Sequence, residues 1–219
     1  MTYLLKLTLL LFAANVAANA TQDPPRIYED KAEQILSSAS EILKGHESLF
    51  ISFNYQVLDS DGYIDQEMEG KLYTTGDKYY METGGNHFIS NGEYVWVFME
   101  GINEVHISLA EDTEGAITPT SLLENFARDY RSKWMRSELI EGTQVHIIDL
   151  VPVEPEVFFK YRIALGEDDF QIYYSEAHDR QGGIYRYVVT EYKPGKEIPV
   201  SRFEFRPEDH PGIEVVDLR

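Results

Sequence analysis

The sequence contains no cysteine, which excludes disulfides, thiolate metal sites and cysteine nucleophiles together. It equally excludes anchoring through an acylated cysteine placed directly after a leader segment. Positive charge is scarce: 19 Lys and Arg stand against 38 Asp and Glu, a formal net charge of −19. Phosphate backbones are bound through clustered Lys and Arg, so this balance argues against nucleic acid as a partner and disfavours adsorption to an anionic leaflet. It suits a well-solvated chain that stays off membranes until something docks it, and the need for solubility alone would also account for it. Long apolar runs are missing too. Beyond residue 20 no stretch approaches the roughly 18 apolar residues that a spanning helix needs.

What stands at the N-terminus is a leader pattern. Lys6 precedes the run Leu7, Thr8, Leu9, Leu10, Leu11 and Phe12, and Ala18-Asn19-Ala20 supplies a small-residue cleavage site. This reads as a secretory signal peptide over residues 1–20, cleaved after Ala20. Its removal deletes one Lys and no acid, so the remaining chain is still more acidic. Residues 21–219 have a length that fits one all-β domain better than two small ones.

After Pro24 and Pro25, the residues Ala32, Ile35, Leu36, Ala39, Ile42 and Leu43 recur at three- and four-residue spacing until Gly45. The spacing predicts one amphipathic helix over about residues 30–44, whose apolar stripe must cover something. From Leu49 the period changes to two, with Leu49, Ile51, Phe53, Tyr55 and Val57 on one side of a long strand. Turn signals then punctuate the chain at Asp61-Gly62, Gly76-Asp77, Gly84-Gly85, Asn91-Gly92, Gly101, Glu141-Gly142, Gly166 to Asp169 and Gly182-Gly183. The runs between them are rich in Tyr, Phe, Val and Ile and read as an antiparallel meander of roughly ten to twelve strands. Pro119, with Thr118 as its cap, opens a second short helical pattern through Leu122, Leu123, Phe126 and Tyr130. A sheet with one apolar face must be covered, close into a barrel or hold a guest, and two short helices cannot cover ten strands. A plugged barrel and an open half-barrel both satisfy that requirement.

Catalytic signatures are missing. His46, His87, His106, His146, His178 and His210 are scattered without the spacing of a metal site, and no nucleophile elbow, phosphate loop or dinucleotide fingerprint occurs. Acid pairs such as Asp168-Asp169 are expected by chance among 38 carboxylates and here mark a turn. The sequence therefore points away from an enzyme and assigns no catalytic residue, metal or cofactor. The informative excess is aromatic, with 15 Tyr and 11 Phe gathered in the strand runs. Tyrosine suits a surface that is apolar in body and wet at the tip, although strand propensity accounts for part of the enrichment.

Several segments together resemble the LolA family of lipoprotein carriers. Ile89-Ser90-Asn91-Gly92-Glu93-Tyr94-Val95-Trp96-Val97-Phe98 is similar to that family's turn followed by an aromatic strand with a Trp. Gly70-Lys71-Leu72-Tyr73 with Tyr79-Tyr80, Thr118-Pro119 with Leu122 and Leu123, and Phe203-Glu204-Phe205-Arg206-Pro207 extend the likeness over the chain beyond the leader. The resemblance implies a mainly β fold, an open antiparallel half-barrel of about 11 strands with a helical lid. It implies a monomeric periplasmic chaperone that takes acylated lipoproteins from an inner-membrane lipoprotein-releasing transporter to an outer-membrane acceptor. A periplasmic lipid- or lipoprotein-sensing module of the same fold is the alternative. Phe53, Tyr55, Tyr73, Tyr80 and Trp96 are the candidate cavity residues, although alternation alone leaves open which face is concave. Leu36, Leu43, Leu122, Leu123 and Phe126 are the candidate lid residues. One departure stands out: where many members carry an Arg that latches the lid, this chain has Gly76 in Thr75-Gly76-Asp77, so any latch must be made otherwise.

Overall fold

A computed structural model gives the structure of the chain, and the residues described are 27–112, 120–124 and 126–219. The expected leader and cleavage site, the Pro24-Pro25 linker and the expected helix start at Thr118-Pro119 lie outside them. Twelve strands form one sheet in the order β12-β6-β5-β4-β3-β2-β1-β11-β10-β9-β8-β7. They are β1 (Leu49–Leu58), β2 (Ile64–Thr75), β3 (Lys78–Thr83), β4 (Asn86–Ser90), β5 (Tyr94–Met99), β6 (Glu104–Leu109), β7 (Tyr130–Ile140), β8 (Thr143–Pro152), β9 (Phe158–Gly166), β10 (Ile172–Asp179), β11 (Ile184–Pro194) and β12 (Glu214–Asp217). Neighbours are antiparallel except β12, which runs parallel to β6. The meander expected from the turn signals is therefore present, its twelve strands within the ten to twelve expected, with one parallel pair at its end.

Among the described residues the sheet does not close, because β7 and β12 each pair on one side only. Both edges are blunted against further pairing. β12 is four residues long, and β7 carries Arg131, Lys133 and Arg136 and bulges between Trp134 and Arg136. The β7–β8 connection shows the local chemistry of the turns. Glu141 and Gly142 both have positive φ (48° and 86°), as a two-residue hairpin that follows the strand twist requires.

Because paired residues share a face, the register divides the sheet into two surfaces. One carries Leu49, Ile51, Phe53 and Tyr55 of β1, Leu72 of β2 and Met81 of β3. It continues through Tyr187 of β11, Ile163 of β9 and Ile148 of β8. Helix α1 (Ile27–Gly45) lies on this face and buries Ala32, Ile35, Leu36 and Ala39. The short helical turns α2 (Ser121–Glu124) and α3 (Phe126–Asp129) lie beside it, burying Leu122, Leu123 and Phe126. These side chains form one cluster with Ile148, Leu150, Tyr161, Ile163 and Leu165. Tyr28 stacks on Trp134 at 6.1 Å and Lys31 stands over the same ring at 3.6 Å, which fixes the start of α1 against β7. Leu43, near its end, reaches the central cluster of Leu49, Ile51, Phe53, Leu72 and Met81.

The opposite face is divided between charge and a second core. Across β8 to β11 a register row alternates in sign, Asp149, Arg162, Glu176, Arg186. Arg162 holds Asp149 with two hydrogen bonds of 2.6 and 2.9 Å, and Arg186 Nε donates to Glu176 at 2.7 Å. Glu176 is buried; burial alone would raise its carboxyl, but His178 and Arg186 hold it below the usual range. At the other end Ile89, Trp96, Phe98, Val105 and Ile107 are covered by Phe205 and Ile213 of the C-terminal segment.

Candidate functional site

The helix-bearing face carries a band of aromatic rings that the strand register assembles from four strands. Tyr130 of β7 meets Tyr161 of β9 at 5.4 Å, Tyr161 meets Phe158 at 5.9 Å, and Phe158 meets Tyr185 of β11 at 5.4 Å. Tyr187 packs against Phe53 at 5.2 Å and against Tyr55 at 5.0 Å. The two groups are close, since on β11 Tyr185 stands two residues from Tyr187, the residue that pairs with Tyr55. Phe53 and Tyr161 are buried, whereas Tyr55, Tyr130, Phe158, Tyr185 and Tyr187 are half-buried. Burial pushes the phenols of Tyr55 and Tyr187 up, and pushes that of Tyr130 up to about 12, with Glu156 and Asp129 adding to it. A phenol displaced in this way sits in poorly hydrated surroundings. Rings of this kind offer a large apolar contact area with polar tips, the character of a surface that receives an amphipathic guest.

Close packing of β1 on β2 makes the band possible. A Cβ on Gly70 would stand 2.3 and 2.4 Å from the ring of Phe53 and 2.8 Å from the Glu82 carbonyl oxygen. Gly70 pairs with Phe53 across the two strands, so the ring lies flat over the bare backbone instead of turning outward.

The expected cavity residues divide between the two faces. Phe53 and Tyr55 lie in or beside the aromatic band. Tyr73, Tyr80 and Trp96 follow the register row of Phe50, which runs Phe50, Tyr73, Tyr80, Ile89, Trp96, Ile107 on the opposite face. There Tyr80 and Trp96 belong to the core under the C-terminal segment, and Arg202 stacks on Tyr73 at 4.2 Å and Tyr80 at 5.3 Å. The five therefore do not line one surface, because alternation orders residues within a strand while register decides which residues of neighbouring strands meet. The expected lid residues do come together: Leu36, Leu122, Leu123 and Phe126 share one cluster, with Leu43 packed against it. Tyr130, Phe158, Tyr161, Tyr185 and Tyr187 escaped the sequence reading as site residues. The available signal was their position in strands enriched in aromatics.

Two cavities open on the other face. One of about 650 Å³ is lined by Glu69, Lys71, Glu82, His87 and Glu100 among others. The second, of about 500 Å³, lies under the C-terminal segment beside Tyr80, Arg202, Phe205 and His210. Tyr80 Oη lies 2.7 Å from His87 Nδ1, and His87 Nε2 lies 2.9 Å from Glu100. The carboxylates and imidazole make the larger cavity a poor match for an acyl chain. Among the described residues no group of His, Asp and Glu is arranged to hold a metal ion, and no helix is long and apolar enough to cross a membrane.

The described residues thus form a mainly β architecture, an open sheet with helices laid on one face. No family model matches the sequence, and no curated protein sequence is similar to it. Among solved structures, the chain is similar to an uncharacterised conserved protein from Thermus thermophilus, with a TM-score of 0.61 and 13% identity over 85% of this chain and 99% of that one. It is also similar to a LolA superfamily protein from Nitrosomonas europaea (TM-score 0.44, 15% identity, 80% of this chain and 97% of that one). A third similar structure is the lipoprotein LppX of Mycobacterium tuberculosis (TM-score 0.43, 12% identity, 77% of this chain and 98% of that one).

Proposed function

We propose that this protein is a periplasmic carrier that shields the acyl chains of lipid-modified proteins between the inner and the outer membrane. The observation that carries the reading is the aromatic band on the helix-bearing face of a sheet that stays open at both edges. The sequence resemblance to lipoprotein carriers supports it independently. Each methylene removed from water contributes about 0.8 kcal/mol, so one sixteen-carbon chain represents on the order of 10 kcal/mol. A lipid-modified protein crosses an aqueous compartment only if something hides that surface.

In the arrangement described, Leu36 and Leu123 are 0% and 1% exposed and the helices press onto the sheet. Binding then requires α1, α2 and α3 to move outward, so that acyl chains replace their apolar side chains over Tyr161, Ile163 and Val189. Part of the chain's transfer free energy goes into separating that cluster, which leaves an affinity low enough for the next acceptor to win. Loading would come from an inner-membrane lipoprotein-releasing transporter and unloading to an outer-membrane acceptor. The role contains no chemical step.

The experiment is to add the purified protein to spheroplasts that hold a triacylated lipoprotein at the inner membrane and to recover the soluble fraction. The expected result is a soluble one-to-one complex. Lipid binding without release would point instead to a sensing module of the same fold, and no lipid binding would overturn the carrier reading.

A further inference from the structure

The five tyrosines of the aromatic band do not all have the same hydrogen-bonding state. Tyr185 donates to Asp179 at 3.3 Å and Tyr161 donates to Glu156 at 2.9 Å, and Tyr130 is hydrogen-bonded to Tyr161. Tyr55 and Tyr187 differ: among the described residues neither hydroxyl has a hydrogen-bond partner, and both side chains are half-buried. They are directly paired across β1 and β11, with rings 5.0 Å apart. A half-buried phenol without a partner leaves its hydrogen-bonding capacity unused, and a ligand acceptor can take it up.

We propose that Tyr55 and Tyr187 act as a paired donor for the ester carbonyls of a diacylglyceryl lipid whose chains lie along the aromatic band. The inference rests on the acyl-binding reading and adds which part of the lipid is recognised and by which atoms. A phenol O–H donates and an ester carbonyl accepts. A glycerol diester carries its two ester oxygens on neighbouring carbons, which keeps the two carbonyls near each other, and the two phenols stand on directly paired positions with rings 5.0 Å apart. Burial keeps both phenols protonated across ordinary pH, so the donor function does not titrate away. The half-buried rings of Phe158 and Tyr185 beside them offer the chains an apolar flank. Dispersion and apolar burial would serve an ester lipid and an ether lipid equally, so only the hydroxyl pair separates the two.

The protein, expressed from its full chain, is titrated calorimetrically with dioctanoyl-glycerophosphocholine and with its dialkyl ether counterpart, both as monomers. A hydrogen bond to a neutral acceptor is worth about threefold to fivefold in affinity, so the ester is expected to bind on the order of tenfold more tightly than the ether. Tyr55→Phe/Tyr187→Phe, which keeps both rings, should close the gap, so that ester and ether bind this variant with equal affinity. If the double variant does not fold, each single variant should lose about threefold for the ester alone. Equal binding of ester and ether by the unaltered protein overturns this inference and leaves the acyl-binding reading standing. Failure of both lipids to bind overturns that reading itself.

Discussion

Substituting Gly70 by Ala puts one methyl group between β2 and the ring of Phe53. The new Cβ would lie 2.3 and 2.4 Å from two ring carbons and 2.8 Å from the backbone oxygen of Glu82. Ordinary carbon contacts are about 3.5–4.0 Å, so the ring must retreat by more than 1 Å or the strands must part. The ring has little room, being 1% exposed, edge-on to Tyr187 at 5.2 Å and packed with Ile51, Leu72 and Met81. Overpacking of this kind costs about 1–3 kcal/mol, against a gain of roughly 0.5–1 kcal/mol from replacing glycine within a strand. The net expectation is a loss of about 1–2 kcal/mol, or a fall in Tm of roughly 2–8 °C for a chain of this size. Urea melts with unchanged slope would register it. Phe53→Leu, which removes the offending ring edge, should cost clearly less in the Gly70→Ala background than alone, giving a coupling of about 1 kcal/mol. A neutral Gly70→Ala, or additive effects of the two substitutions, would refute the placement of Phe53 flat on β2 and with it the geometry of the aromatic band.

Three further outcomes follow from the same coordinates. Phe205→Ala should cost about 3–5 kcal/mol by urea denaturation, since Phe205 is 7% exposed and packs against Phe98 at 5.2 Å; a change under 1 kcal/mol would mean that the C-terminal segment is only loosely laid on the sheet. The Glu176 carboxyl is held below its unfolded value, so its contribution to stability is complete above about pH 4.3 and is lost as pH falls through the folded-state value. Glu176→Gln should therefore cost roughly 1–3 kcal/mol at neutral pH and flatten the acid limb of the stability profile; an unchanged limb would assign it to other carboxylates. Leu123→Glu places a charge in the cluster beneath the helices, where Leu123 is 1% exposed. It should abolish recovery of soluble lipoprotein from spheroplasts, and retained carrier activity would sink the proposed role of the helices.

The features legible in the sequence are those decided by neighbours along the chain. The three- and four-residue spacing of Ala32, Ile35, Leu36, Ala39 and Leu43 marked α1, which runs a little longer than expected, over Ile27–Gly45. Glycine-bearing turns marked the hairpins, because Asp61-Gly62, Gly84-Gly85 and Gly182-Gly183 supply the positive φ that reversals need. Features decided by partners distant in sequence were not legible. Phe50 and Phe53 belong to opposite faces, and nothing within β1 announces that Tyr73 pairs with the first while Gly70 pairs with the second. β12 was missed for the same reason: Glu214–Asp217 is too short to declare itself and forms only because the strap from Val200 onward delivers it parallel to β6.

That strap explains why the aromatic excess did not by itself locate the site. Both faces of the sheet hold aromatic rows, and each must be kept from water. On the face with Tyr80, Trp96 and Phe98 the chain supplies a cover tied by hydrogen bonds: Phe205 and His210 stack at 4.7 Å, both against Phe98, and β12 ties the end down by backbone hydrogen bonds. On the other face the cover, among the described residues, consists of α1 and two four-residue helical turns. Their hold is side-chain packing rather than a shared ladder of hydrogen bonds. Packing of that kind is exchangeable, because an acyl chain offers the sheet the same apolar contact that Leu36, Leu123 and Phe126 do. On the carrier reading proposed above, the strap-covered face is the poorer surface for a guest, and the helix-covered one is the face for which a lipid would compete.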